Sequence, residues 1–154
     1  MINEPKNWLE RVQAAGIPVY GDSTFRGPCN LEDADLIYFF SDIKHDYPEL
    51  KGIAFHVKNE GNRTPSQVKR EKMKGALVTG LIDVVILGGP AFVMELKRKD
   101  YTICNLEAEQ FDCLVDSKNN GAFACVCLGI DAAREALAAW LEVVRKNSEA
   151  GKTS

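Results

Sequence analysis

Gly80-Leu81-Ile82-Asp83-Val84-Val85-Ile86-Leu87-Gly88-Gly89-Pro90-Ala91-Phe92-Val93-Met94-Glu95-Leu96-Lys97 is the stretch on which the fold turns. Two apolar, β-branched runs flank a Gly-Gly-Pro tip, the pattern of a β-hairpin. With Gly89 at the centre of the turn, residues equally far from it face each other, and Asp83 falls opposite Glu95. Directly opposed residues have Cβ atoms about 4.5–5.5 Å apart, so two carboxylates there repel unless something positive lies between them. Mg²⁺ or Mn²⁺ is the expected occupant. Side chains alternate along a strand, so Glu95 and Lys97 share a face while Met94 and Leu96 point the other way, into the core. One face therefore carries Asp, Glu and Lys together. The competing reading is an edge hairpin with a shifted register and scattered surface charges.

Upstream of the hairpin, Trp8, Leu9 and Val12 in the segment Asn3 to Ala15 share one helical face, and Gly16 ends that helix. Tyr20 to Pro28 reads as a loop. Asn30 is a candidate N-cap for a helix to about Asp46, with Glu32 and Asp33 in its first turn and Leu36, Phe39, Phe40 and Ile43 as its apolar stripe. Ile53 to Val57 reads as a strand. A polar loop follows, and Thr64 and Ser66 offer starts for a basic helix to about Leu77. Downstream, Leu106 to Lys118 has helical spacing, Phe123 to Leu128 is a strand, and Asp131 to Val144 is an amphipathic helix. Asn147 to Ser154 reads as a fraying polar tail. The expected order is helix, helix, strand, helix, hairpin, helix, strand, helix, an α/β fold with a central mixed sheet flanked by helices. The expected division is an N-terminal helix-and-loop extension over 1–28, one domain over 29–146 and the tail over 147–154.

The 154 residues, 45% hydrophobic and 27% charged, suit one domain with one core. Met1-Ile2-Asn3-Glu4-Pro5 has neither a basic n-region nor an apolar h-region, and no run approaches about 18 apolar residues. A cytoplasmic protein with no membrane partner is expected. Cys29, Cys104, Cys113, Cys125 and Cys127 contain no Cys-x-x-Cys pair, which disfavours both a disulfide framework and a zinc site. A net charge of -3 is unlike that of a protein coating nucleic acid non-specifically. Between Lys58 and Lys74, however, six basic residues stand against two acidic ones, a local balance of +4. Taken alone, such a run more often marks an ordinary solvated helix face.

Asp83 followed by Glu95-Leu96-Lys97 resembles the Asp…Glu-x-Lys signature of the PD-(D/E)xK, or restriction-endonuclease-like, nucleases. More of the chain is similar to VRR-NUC domains: His56-Val57-Lys58-Asn59-Glu60-Gly61-Asn62-Arg63 matches a strand ending in Asn before a glycine-bearing polar loop. Gly80-Leu81-Ile82-Asp83, Glu95-Leu96-Lys97, Gln110 and Asp131-Ala132-Ala133 match later blocks, so the resemblance runs from about Glu32 to Leu141. It departs at Ile82, where the family has Pro.

This resemblance implies a restriction-endonuclease-like fold and a stand-alone, phage-type nuclease in a bacterial or phage-infected cell. Asp83, Glu95 and the backbone carbonyl of Leu96 would hold Mg²⁺ or Mn²⁺. Glu32 is the candidate for the additional metal-binding acid the family carries on its first core helix, with Asp33 and Asp35 competing for that role. The ion would polarise the scissile phosphate and lower the pKa of a water. Lys97 would orient that water or offset developing charge, and Gln110 would position Lys97 or the water. Lys58, Asn59, Arg63, Lys69 and Arg70 would grip DNA. The implied activity is that of an endodeoxyribonuclease acting on branched DNA, similar to Holliday-junction resolvases, and paired cuts imply a homodimer. The alternative is a catalytically inactive DNA-binding module of the same fold. A small-molecule enzyme finds no support, since Gly88-Gly89-Pro90 joins two strands rather than a strand to a helix.

Overall fold

A computed structural model describes residues 4–57, 64–73 and 82–152. Its helices are α1 (Trp8–Ala14), α2 (Glu32–Asp46), α3 (Pro65–Met73), α4 (Ala108–Asn119) and α5 (Ile130–Lys152). Its strands are β1 (Val19–Tyr20), β2 (Ala54–His56), β3 (Val84–Ile86), β4 (Phe92–Lys97) and β5 (Phe123–Leu128). They form one five-stranded sheet in the order β1-β5-β4-β3-β2. The β1–β5 and β5–β4 pairs are parallel and the β4–β3 and β3–β2 pairs antiparallel. The sheet is thus mixed and flanked by helices, as the sequence reading expects.

Strand alternation sorts the core onto two sides of this sheet. Phe92, Met94, Leu96, Cys125 and Cys127 pack with Phe39 and Ile43 of α2 and with Ala136, Leu137 and Trp140 of α5. Val93, Ala124, Val126 and Leu128 pack on the other side with Trp8, Leu9 and Val12 of α1 and Leu114 of α4. Phe92 anchors the first side, stacked on Phe39 at 6.4 Å and tilted against Trp140 at 5.5 Å. Truncating such a fully buried aromatic costs about 3–5 kcal/mol. The Trp140 indole N–H donates to the Pro90 carbonyl at 2.7 Å, tying α5 to the hairpin tip. A Cβ at Gly88 would lie 2.8 Å from the Trp140 ring, so the tip needs a glycine there. Cys125 and Cys127 are free, fully buried thiols, which fits a packing role.

Three local readings need correction. Tyr20 does not open the loop but ends a sheet-edge strand, Val19–Tyr20, held because the Pro18 carbonyl accepts from Val126 N–H and Val19 pairs with Val126. α1 closes the second core through Trp8, Leu9 and Val12. Asn30 does not cap α2: Leu31 occupies the cap without a side-chain bond, and the Asn30 amide donates instead to Asp35 Oδ1 at 3.0 Å. The polar tail expected from Asn147 continues α5 to Lys152, because Arg145 pairs with Glu142 and with Glu149 one turn away on either side. Thr64 does start α3, accepting from Gln67 N–H while its own N–H donates to Gln67 Oε1, a reciprocal cap. Among the described residues no helix is long and apolar enough to cross a membrane.

Candidate active site

The hairpin pairs Val84 with Met94, Val85 with Val93 and Ile86 with Phe92, the register read from the sequence. Continued by one pair, it sets Asp83 across from Glu95. β4 is the middle strand, and both its charged side chains are almost sealed from solvent, Glu95 1% and Lys97 5% exposed. They lie on the α4 side of the sheet, in line with Val93.

Each acid takes a proton donor from the opposite strand. Leu96 N–H donates to Asp83 Oδ2 at 3.0 Å, and Asp83 N–H to Glu95 Oε2 at 3.3 Å. Glu95 Oε1 lies 3.4 Å from Lys97 Nζ and accepts from Gln110 Nε2 at 2.9 Å. The other end of that amide accepts from Glu107 N–H at 2.9 Å and makes a long 3.5 Å contact with Lys97 Nζ. Gln110 occupies the third position of α4 in a capping box with Glu107, which aims its side chain back toward the helix start and the end of β4.

Burial dominates the electrostatics. It pushes the Glu95 carboxyl well above the ordinary range, and the Asp83 charge pushes it further while Lys97 pulls back. Asp83 is also raised by burial, against the Leu96 N–H and the Lys97 charge. Glu32, half-buried at the start of α2, is raised by burial too, with Lys97 lowering it and Asp83 raising it. A lone ammonium does not offset the desolvation of these acids. Further positive charge at this point would be bound favourably, and an all-oxygen donor set suits a hard divalent cation such as Mg²⁺ or Mn²⁺.

The structure thus brings together Asp83, Glu95, Leu96, Lys97 and Gln110. Glu32 is the acid of α2 that feels both Asp83 and Lys97. Asp33 is exposed, and Asp35, 2% exposed, is taken up by Asn30 and lines a separate cavity of about 240 Å³ with Cys29, Lys99 and the start of α5. Among the described residues no three His, Cys, Asp or Glu side chains are close enough to form a metal-holding cluster by themselves. Glu32 therefore stands beside the Asp83–Glu95 pair rather than within it. Lys69 and Arg70 are exposed on α3, and among the described residues no hydrogen bond or ion pair joins them to the site. Lys58, Asn59 and Arg63 lie outside the described residues.

Two residues without a role in the sequence reading stand at this site. His56 Nδ1 lies 2.9 Å from the Asp83 carbonyl oxygen. Arg98 donates through Nε to the Asn30 carbonyl at 3.2 Å and through Nη2 to the Cys29 carbonyl at 2.8 Å. Arg98 stands next to Lys97 in the sequence, whereas His56 lies 27 positions from Asp83 and meets it only in the fold.

No protein-family model matches this chain, and no curated protein matches it either. Among solved structures it is similar to one described as a VRR_NUC domain protein, with a TM-score of 0.55 and 16% identity over 77% of this chain and 92% of that one. The likeness is one of fold. It spans most of both chains.

Proposed function

We propose that this protein is a metal-dependent nuclease that hydrolyses DNA phosphodiester bonds at the Asp83–Glu95–Lys97 site. The observation that carries this reading is the buried Glu95 carboxylate facing the half-buried Asp83, both raised in pKa, beside a buried lysine on the central strand. Such a cluster costs stability unless it binds charge, and an anionic substrate with a bridging cation meets that need.

Asp83, Glu95 and the Leu96 carbonyl would hold the cation, with Glu32 as an additional acid. Mg²⁺ or Mn²⁺, when bound, supplies Lewis acidity toward phosphate and lowers the pKa of water. Lys97, fixed between Glu95 and Gln110, orients the attacking water or offsets the charge that builds on phosphorus. Gln110 keeps Lys97 and Glu95 in one geometry. Lys58, Asn59, Arg63, Lys69 and Arg70 supply backbone contacts. The substrate we favour is branched DNA cut endonucleolytically, by a homodimer that brings one site to each of two strands.

The test is cleavage of a labelled four-way junction, a linear duplex and a single strand, with Mg²⁺, Mn²⁺ or chelator, beside Lys97→Ala. Metal-dependent cutting that falls by about 10²–10³ in the variant supports the reading, the scale of losing one charge-stabilising donor. Binding of the junction without any cutting by the wild type transfers the function to a binding module. Equal cutting of all three DNAs removes the preference for branched substrates.

A further inference from the structure

The segment that leads into α2 is clasped by the turn immediately after Lys97. Arg98 bonds two successive carbonyls, Cys29 and Asn30, with a forked guanidinium. Two residues on, Asp100 Oδ2 accepts from Gly27 N–H at 3.1 Å. The Arg26 guanidinium lies 4.9 Å over the Tyr101 ring, and Lys99 Nζ 4.4 Å over the Phe25 ring. Of these contacts, Arg98's lie nearest to Glu32. They matter more because α2 starts at Leu31 without any side-chain cap, so its first turn lacks the usual local anchor.

We infer that Arg98 is the positioning residue that fixes Glu32 beside the Asp83–Glu95–Lys97 cluster, coupling the helix-borne acid to the strand-borne ones. The inference rests on the nuclease reading only in taking the cluster's ligand to be a divalent cation. Arg98 follows Lys97 directly, just past the end of β4, so one residue's step along the chain sends one cation into the site and the other to the segment before α2. The acid on the helix cannot drift from the strand without breaking two charge-assisted hydrogen bonds. A lysine would not substitute, because one ammonium at the end of a flexible stem does not reproduce the planar fork.

The experiment is a double-mutant cycle on Mn²⁺ binding, followed by calorimetry on metal-free protein without DNA. Wild type, Glu32→Gln, Arg98→Ala and Glu32→Gln/Arg98→Ala complete the cycle, and Arg98→Lys replaces Arg98→Ala throughout if the alanine variant does not fold. Each single variant is expected to weaken Mn²⁺ binding about 10-fold or more, the scale of losing a supporting contact at a metal site. The double variant should bind no more weakly than Glu32→Gln, because Arg98 acts through Glu32. A general loosening would weaken Asp83 and Glu95 too, so the two effects would multiply, and that result overturns the inference. Unchanged Mn²⁺ affinity in Arg98→Ala overturns it as well; if DNA affinity drops there instead, Arg98 is a phosphate contact. If Glu32→Gln binds Mn²⁺ like the wild type, Glu32 is no ligand and the coupling has no object, while the nuclease reading stands on Asp83 and Glu95. A wild type that binds no Mn²⁺ and cuts no DNA brings down the nuclease reading together with this one.

Discussion

Asp83 and Glu95 each accept a hydrogen bond from the backbone of the other's strand, Asp83 from Leu96 N–H and Glu95 from Asp83 N–H. Two like charges are therefore held face to face by the sheet itself, at the end of the hairpin where Val84 and Met94 make the last regular pair. Burial and the facing Asp83 charge both push the Glu95 carboxyl upward, so the pair favours the uptake of a proton or of another positive charge. The site is thus strained toward capturing positive charge, and the strain should be measurable without any substrate.

Glu95→Gln should stabilise the metal-free protein at neutral pH by about 1 kcal/mol, the scale of an opposed like-charge pair, or roughly 2–4 °C in Tm. The sign follows from linkage. A carboxyl whose folded pKa is raised contributes stability that is full below its unfolded value near 4.5 and is lost as pH rises through the folded value. Thermal melts of both proteins in chelator, from pH 4 upward, should therefore separate as pH increases, the wild type falling behind. Curves that stay parallel would show that the pair is not raised. Mn²⁺ should reverse the order, stabilising the wild type and not the variant.

Gln110 joins α4's capping box to Glu95 and Lys97, and the two roles are separable. Glu107→Ala removes the cap and leaves the amide's contact with Glu95, so it should lower stability by about 1 kcal/mol with little change in cleavage. Gln110→Ala removes both, and should lower cleavage by a further 10–100-fold. Paired melting and single-turnover cleavage measurements check this. Equal activity losses in the two variants would mean that Gln110 serves only the helix.

The hairpin was legible because its register depends on local sequence alone: a glycine-rich tip and β-branched flanks leave one way to bury both strands. Asp83, Glu95 and Lys97 came with it. The β1 strand was not legible, since two residues carry no alternation and exist as strand only through pairing with Val126 and Cys127. The end of α5 was misread because its last turns are held by ion pairs rather than an apolar stripe. Arg98 and His56 act across 68 or 69 and 27 positions respectively, on backbone carbonyls that any residue would present. No spacing in the sequence encodes such contacts.

Lys69→Ala and Arg70→Ala should each weaken DNA binding uniformly across sequences and lower the slope of log affinity against log salt by about 1, if each releases one counterion. Both residues are exposed on α3, so little loss of stability should accompany the change. Fluorescence anisotropy over a salt series measures the slope. An unchanged slope in both variants would remove α3 from the DNA interface and leave Lys58, Asn59 and Arg63 to carry the contact.

The Asp83 carbonyl oxygen accepts from Val57 N–H at 3.1 Å and lies 2.9 Å from His56 Nδ1. A carbonyl can only accept, so His56 must carry its proton on Nδ1 when neutral, leaving Nε2 as a bare acceptor. The ring, exposed and packed against Phe40 at 6.4 Å, is held in that orientation. ¹⁵N NMR of the neutral imidazole should show a protonated Nδ1 and an unprotonated Nε2; the opposite tautomer would break the assignment. His56→Asn places an amide donor near the Nδ1 position, whereas His56→Gln reaches nearer to Nε2. If the hydrogen bond to Asp83 is what His56 provides, the Asn variant should keep cleavage close to wild type. The Gln variant should lose about 5–10-fold, the value of a net hydrogen bond of about 1 kcal/mol. Loss in the Asn variant with retention in the Gln variant would instead assign the work to Nε2, on the side of the ring turned away from Asp83.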